Sequence, residues 1–217
     1  MTTFKRDPNL LLQAAPFLRR GVTAPGLMMD VILGLVPIIL AAIYFFGISA
    51  ILVMLASTAG SVMAEWLFNP TQPKTKSLKD GSAILTGILL GLTLPPGIAL
   101  WMAFLGGVVG MVLGKTVFGG LGQNVFNPAL VGRAFLQAAF PTAITTWSQQ
   151  GSLGSFWTIR PSNFAMPFMQ APEAAVDAVS TATPLNLMKF SQEPTALTNL
   201  LTGNTAGSLG ETCAILI

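Results

Sequence analysis

The sequence predicts an all-α fold: a polytopic transmembrane helix bundle of about five spans plus the start of a sixth, taking roughly 20 residues per crossing. Three observations carry this expectation. Hydrophobic residues make up 52% of the 217 positions and charged residues only 9%, against roughly 25% charged in a soluble domain. Mean hydropathy is +0.68. Two long stretches, 31–64 and 81–114, hold no charged residue at all. So few charges cannot cover a water-facing surface, which argues against a soluble globule, a disordered chain and a disulfide scaffold. A net charge of +3, scattered along the chain, leaves no nucleic-acid footprint. One Cys and no His exclude an intrachain disulfide and a Cys/His metal cage within this chain.

The elements follow in order. The run 31–64 is too long for one crossing, and Gly47-Ile48-Ser49 offers a turn. The first span is expected at 27–46, bent at Pro37, which removes a backbone donor, and the second at 50–68. The run 81–114 is divided by Pro95-Pro96-Gly97. Its first part, 82–94, is short for a crossing at about 1.5 Å per residue, and is expected as a broken third segment: a half-helix, or a tilted helix followed by a Pro-rich turn. The fourth span is expected at 98–114. The Gly/Asn/Pro loop FGGLGQNVFNP (118–128) leads to a fifth at 129–147, which contains Arg133 and is interrupted by Pro141. Asn124 and Asn127 are candidate caps for it.

Four regions result: an N-terminal segment at 1–26, the spans at 27–147, a long polar loop at 148–210, and the start of a further helix at 211–217. Basic residues set the expected orientation. Lys5, Arg6, Arg19, Arg20, Lys74, Lys76, Lys79, Lys115 and Arg133 fall on or near one side, and only Arg160 and Lys189 on the other. The positive-inside rule then predicts a cytoplasmic N-terminus and an extracytoplasmic loop 148–210. Residues 9–18 are interrupted by Gln13 and Pro16 and closed by Arg19-Arg20, unlike a cleaved signal peptide; an interfacial helix fits there. The tetrapeptide GSLG recurs at 151–154 and 207–210, and Gly-Ser precedes an apolar run at 81 and again at 207. Two related halves and coincidence in a Gly-rich chain both account for this.

Without His there is no Ser-His-Asp site and no imidazole base. GGLGQN lacks the Lys-Ser/Thr of a phosphate loop. For redox or transport work a bound cofactor or a partner must therefore supply the reactive groups. The informative stretch is DAVSTATPL, 177–185: an acid, then Ser180, Thr181 and Thr183 with the small Ala182 between hydroxyls, then Pro184. It reads either as turn chemistry before an X-Pro bond or as a threonine open to a modifying enzyme.

DAVSTATPL resembles the flavinylation sequence Asp-x-x-Ser/Thr-Gly-Ala-Thr of the membrane subunits of the Rnf and Nqr respiratory complexes, above all RnfD, with NqrB its near relative. LKDGSAILTGILL (78–90) is similar to the family's segment after its second helix, FGGLGQNVFNPALVG (118–132) to its Gly-rich loop and following helix, and GSLGE (207–211) to its lead-in to the next span. The resemblance runs from Met29 to the C-terminus. It implies FMN bound through a phosphoester to Thr183, with Asp177 the acid read by a flavin transferase and Ser180, Thr181 and Ala182 filling the motif. Thr181 stands where the family usually has Gly, which implies a stiffer loop. Family members have about twice as many helices, in two related halves; this chain is then a shortened or partial version, or its other half lies on another chain. A second flavin, riboflavin or another noncovalent one, would belong to that half.

The resemblance implies a redox-carrier subunit rather than an enzyme acting alone. Its setting would be an ion-translocating ferredoxin:NAD oxidoreductase complex in a bacterial or archaeal cytoplasmic (inner) membrane. Its partners would be the other membrane and peripheral subunits, the transferase and the lipid bilayer, and no nucleic acid. The alternatives are the NqrB component of an Nqr-type quinone reductase, a small-solute channel or transporter, and a scaffold protein. Arg133 is a candidate contact for a flavin phosphate or a partner carboxylate, with snorkelling to headgroups the competing reading. Cys213 reads as small packing rather than an iron–sulfur ligand. Gly87, Gly91, Gly106, Gly107 and Gly110 are expected to let helices approach closely.

Overall fold

The computed structural model describes residues 23–68, 77–147, 157, 159–167, 182–192, 194–213 and 215, and no strand occurs among them. Two helices are long and apolar enough to cross a membrane: α1 (Ala24–Phe46, mean hydropathy 2.4) and α2 (Ile48–Phe68, 1.6). α3 (Ser82–Thr93) and α4 (Leu100–Met111) are shorter, and α4 runs on as a π-turn, Val112–Thr116. Then come α5 (Pro128–Ala139) and α6 (Pro141–Thr145). A 3-10 turn, Pro161–Phe164, precedes α7 (Pro184–Asn186), which continues as the π-turn Leu187–Ser191, and α8 (Leu197–Thr202).

Local chemistry explains the boundaries. The Thr23 hydroxyl accepts from the Gly26 N–H at 3.3 Å to open α1. Gly47, at φ 63°, closes it and turns the chain directly into α2; a left-handed residue in so tight a connection favours glycine. Asn127 caps α5, its Oδ1 accepting from the Ala129 N–H at 3.0 Å with Pro128 in the first turn. Asn124 serves the preceding loop instead, accepting from Gly122 and donating to the Phe126 carbonyl. The expected fifth span, 129–147, is two pieces. The helix stops at Ala139 and restarts at Pro141, because proline brings no N–H to the ladder.

α2 is the centre of the bundle, with α3 and α4 packed against it. The Ser57 hydroxyl donates to the Gly87 carbonyl at 2.8 Å and the Ser61 hydroxyl to the Gly107 carbonyl at 3.4 Å. A Cβ added at Gly107 would lie 2.3 Å from the Ser57 carbonyl oxygen, and one at Gly132 2.6 Å from that of Gly106. Backbones therefore touch at α2/α4 and α4/α5. Between lipid-embedded helices burial of apolar surface gives little net gain, so close packing and interhelical hydrogen bonds supply the cohesion. α1 borders this core through Ala42 and Phe46. Only Ala42 and Phe46 are buried on it, while Leu33, Leu40 and Tyr44 face outward.

The break after α3 is satisfied from far along the chain. Pro95 and Pro96 are fully buried, so carbonyls freed by the lost helical ladder cannot rely on water. The Gly210 N–H donates to the Leu92 carbonyl at 2.8 Å and the Leu209 N–H to the Leu94 carbonyl at 3.1 Å. The Asn163 Nδ2 amide donates to the carbonyls of Pro96 (3.0 Å) and Ile98 (2.8 Å). Residues 211–213, expected to open a further helix, form a turn beside this junction.

Gly107→Ala is expected to cost about 1–3 kcal/mol, the typical penalty of overpacking, read as a lower unfolding midpoint in detergent. Gly34→Ala, on the exposed side of α1 with nothing within 4 Å of the new methyl, is expected to be neutral or slightly stabilising. Equal behaviour of the two variants would refute the close α2/α4 approach.

Candidate functional site

Thr183 and Ala182 lie within the described residues; Asp177, Ser180 and Thr181 lie outside them. Thr183 is half-buried and Ala182 exposed. Pro184 sits in the first turn of α7 and disfavours helical geometry in the residue before it. Thr183 accordingly adopts φ −68°, ψ 156°, the extended geometry of a helix cap. Its Oγ1 accepts from the Asn186 N–H at 3.3 Å, and its carbonyl accepts from the Leu187 N–H at 3.0 Å. This arrangement fits a phosphoester. The hydroxyl hydrogen is the atom that attachment replaces, while the oxygen keeps a lone pair for the cap. The residue before Thr183, Ala182, is small and exposed. After Thr183 come Leu185, Met188 and Phe190, all exposed, with the Lys189 ammonium 5.2 Å from the Phe190 ring centroid.

Arg133 lies midway along α5 and pairs with Glu211, Nη1 to Oε1 3.4 Å, both side chains partly exposed. That contact spans 78 positions of sequence and ties α5 to the segment that seals the α3 break. The Cys213 thiol donates to the Leu201 carbonyl at 3.4 Å, and the residue packs beside Gly203. Arg160 donates its backbone N–H to the Ser49 hydroxyl at 3.3 Å in the first turn of α2. Burial lowers the pKa of its guanidinium from the ordinary value, from so high a start that it stays a cation at neutral pH.

Reasoning from sequence missed the buried ionic cluster at the opposite end of the bundle. Lys115, in the π-turn after α4, is only 3% exposed, and Glu65 on α2 only 1%. The Lys115 ammonium donates to Glu65 Oε1 at 2.5 Å and to the Ser82 hydroxyl at 2.6 Å, with Asp80 Oδ2 3.9 Å away. The Ser82 hydroxyl passes the chain on to Asp80 Oδ1 at 2.6 Å, and Asp80 also accepts from the Ser82 N–H at 2.8 Å. Ser77 donates to Glu65 as well. One ammonium thus joins the ends of α2, α3 and α4. The signal was present: Glu65 and Lys115 each end a long uncharged run, with opposite charges at the same end of two hairpins. Among the described residues no group of acids, His or Cys forms a metal site.

Among the described residues this is an all-helical bundle with two helices long and apolar enough to cross a membrane and a half-buried, helix-capping threonine. The family model described as NQR2, RnfD, RnfE matches residues 11–217, and the chain belongs to that family. It is 33% identical, over 95% of its length, to the D-type component of the proton-translocating ferredoxin:NAD(+) oxidoreductase complex of Clostridium ljungdahlii, covering 59% of that protein. It is 35% identical over 83% of its length to the D-type component of the ion-translocating oxidoreductase complex of Yersinia enterocolitica, covering 54% of it. The Sodalis glossinidius protein of the same name is 34% identical over 86% of the chain and 57% of the relative. The chain thus spans somewhat over half the length of these curated relatives.

Lys115→Met leaves buried carboxylates without their cation and is expected to destabilise the bundle by about 3–5 kcal/mol, the usual result of removing one partner of a buried pair. Adding Glu65→Gln should recover most of the loss, measured by denaturant unfolding in mixed micelles. A double variant as unstable as the single one would contradict the pairing.

Proposed function

We propose that this chain is an electron-carrying membrane component of an Rnf-type, ion-translocating ferredoxin:NAD oxidoreductase complex, with FMN attached to Thr183 through its phosphate. The observation that carries this reading is Thr183 itself: a threonine in the family's flavinylation motif, reachable, and held by its cap at the start of a short helix. A flavin held there would supply one- and two-electron chemistry. The chain's own residues do the rest. Thr183 supplies the attachment oxygen, Pro184 and the Asn186 N–H fix its direction, and Asp177, Ser180, Thr181 and Ala182 form the sequence that a flavin transferase reads. Relatives named as D-type components of ion-translocating oxidoreductase complexes favour this setting over an Nqr-type quinone reductase, and over a solute channel. Electrons would pass between a partner's flavin or iron–sulfur centre and the next carrier.

The same reading takes the chain across the cytoplasmic membrane in five spans, with the N-terminus inside and loop 148–210 outside. Lys115, Glu65 and Asp80 lie at one end of the helices, and the anchors Asn163 and Leu209 at the other. That separation supports a sided arrangement with Thr183, between the two anchors in sequence, on the outer face. Arg133, paired with Glu211, acts in this picture as a brace for the anchor rather than as a phosphate ligand. A second flavin would be held by parts of the complex beyond this chain.

Co-expression with a flavin transferase tests the reading. The denatured chain should fluoresce in a gel under ultraviolet light. Thr183→Ala should abolish that signal and cost only about 1 kcal/mol through the lost cap. Thr183→Ser, which keeps both the cap and the nucleophile, should retain some of the signal. A fluorescent Thr183→Ala chain would refute the assignment.

A further inference from the structure

We propose that the short helix after the flavinylation threonine, Pro184–Asn186 with its π-turn Leu187–Ser191, is a lipid-surface anchor. Leu185, Met188 and Phe190 enter the boundary of the acyl chains, and Lys189 meets the lipid phosphates. Leu185 is 77% exposed, Met188 60% and Phe190 75%. Three large apolar side chains so exposed within one turn-length segment mark a surface that something covers. Two features point to a phospholipid surface rather than a protein. Lys189 is the only charged residue between Ala182 and Gln192, a positive charge set among apolar side chains. It lies over the Phe190 ring, 5.2 Å from its centroid. Lysine is depleted from the cores of protein–protein interfaces, whereas a cation and an aromatic ring above an apolar face are the residues of the headgroup zone.

The chain on either side of the segment docks at one end of the bundle. On the N-terminal side, Arg160 bonds to Ser49 in the first turn of α2, and Asn163 to Pro96 and Ile98 at the α3 break. On the C-terminal side, Gly203 abuts Phe45 in the last turn of α1, where an added Cβ would lie 3.0 Å from the ring. Both anchors are at the level of helix ends, where the headgroups of a bilayer lie. Phe164 and Met166 beside one anchor and Leu197 before the other are also exposed, extending apolar surface along the same end. The consequence rests on the flavin reading: a flavin on Thr183 would be held at the membrane surface, limiting the distance over which it can swing towards a partner's redox centre.

Spin labels test the proposal. Leu185→Cys, Phe190→Cys and Gln192→Cys, each with Cys213→Ser, are labelled in the full chain reconstituted in phosphatidylcholine/phosphatidylglycerol vesicles. The three labelled positions are exposed, so a label displaces no packed neighbour. Labels at 185 and 190 should be relaxed several-fold more by oxygen than by an aqueous nickel chelate, and the label at 192 should show the reverse. Adding Lys189→Gln should bring the 190 label closer to water in phosphatidylglycerol-containing vesicles and leave it unchanged in pure phosphatidylcholine. Nickel access at 185 and 190 equal to that at 192 would overturn the proposal, as would shielding from both reagents, the mark of a protein cover. The labels report depth whether or not flavin is attached, so lipid-facing labels on a chain that stays flavin-free after co-expression with a flavin transferase would sink the function and leave the anchor standing.

Discussion

Backbone carbonyls that lose their helical partners inside an apolar bundle must find donors elsewhere, and in this protein that requirement is met at the Pro95-Pro96 break. The donors are Asn163, Leu209 and Gly210, residues far from the break in sequence and on either side of Thr183. One local interruption therefore anchors the chain on both sides of the candidate threonine. The interrupted α3 and the candidate flavin loop are coupled parts of one structure.

At the other end of the helices a different economy holds. Lys115 joins α2, α3 and the turn after α4 through Glu65, Ser82 and Asp80. Between the two ends, serine hydroxyls on α2 reach glycine carbonyls on α3 and α4, and the backbones touch. The bundle is thus held by polar contacts at both ends and by close backbone approach in the middle, as expected where lipid competes for every apolar surface.

Much of this was legible in the sequence, because local chemistry decides it. The two uncharged runs mark the hairpins, Gly47 the first turn, Pro95-Pro96 the break, and Asn127-Pro128 the cap of α5. What was not legible is non-local. Asn163 carries no pattern that announces a role at Pro96. Glu211 is 78 positions from Arg133, too far for any local pattern to pair them. That Glu65 and Lys115 close uncharged runs at the same end of two hairpins was legible, but position alone reads Lys115 as one more contribution to the charge bias. Burial turns it into the hub of the ionic cluster, and burial is a property of three helix ends together.

A covalent link between the Thr183 oxygen and a flavin phosphate is the central claim. Tandem mass spectrometry of the fluorescent proteolytic peptide, from chain matured with a flavin transferase, tests it most directly. The expected result is one FMN, less the water lost in esterification, on Thr183 alone. A modified peptide with the flavin on Ser180 or Thr181, or an unmodified Thr183 in protein that has met its transferase, would contradict it.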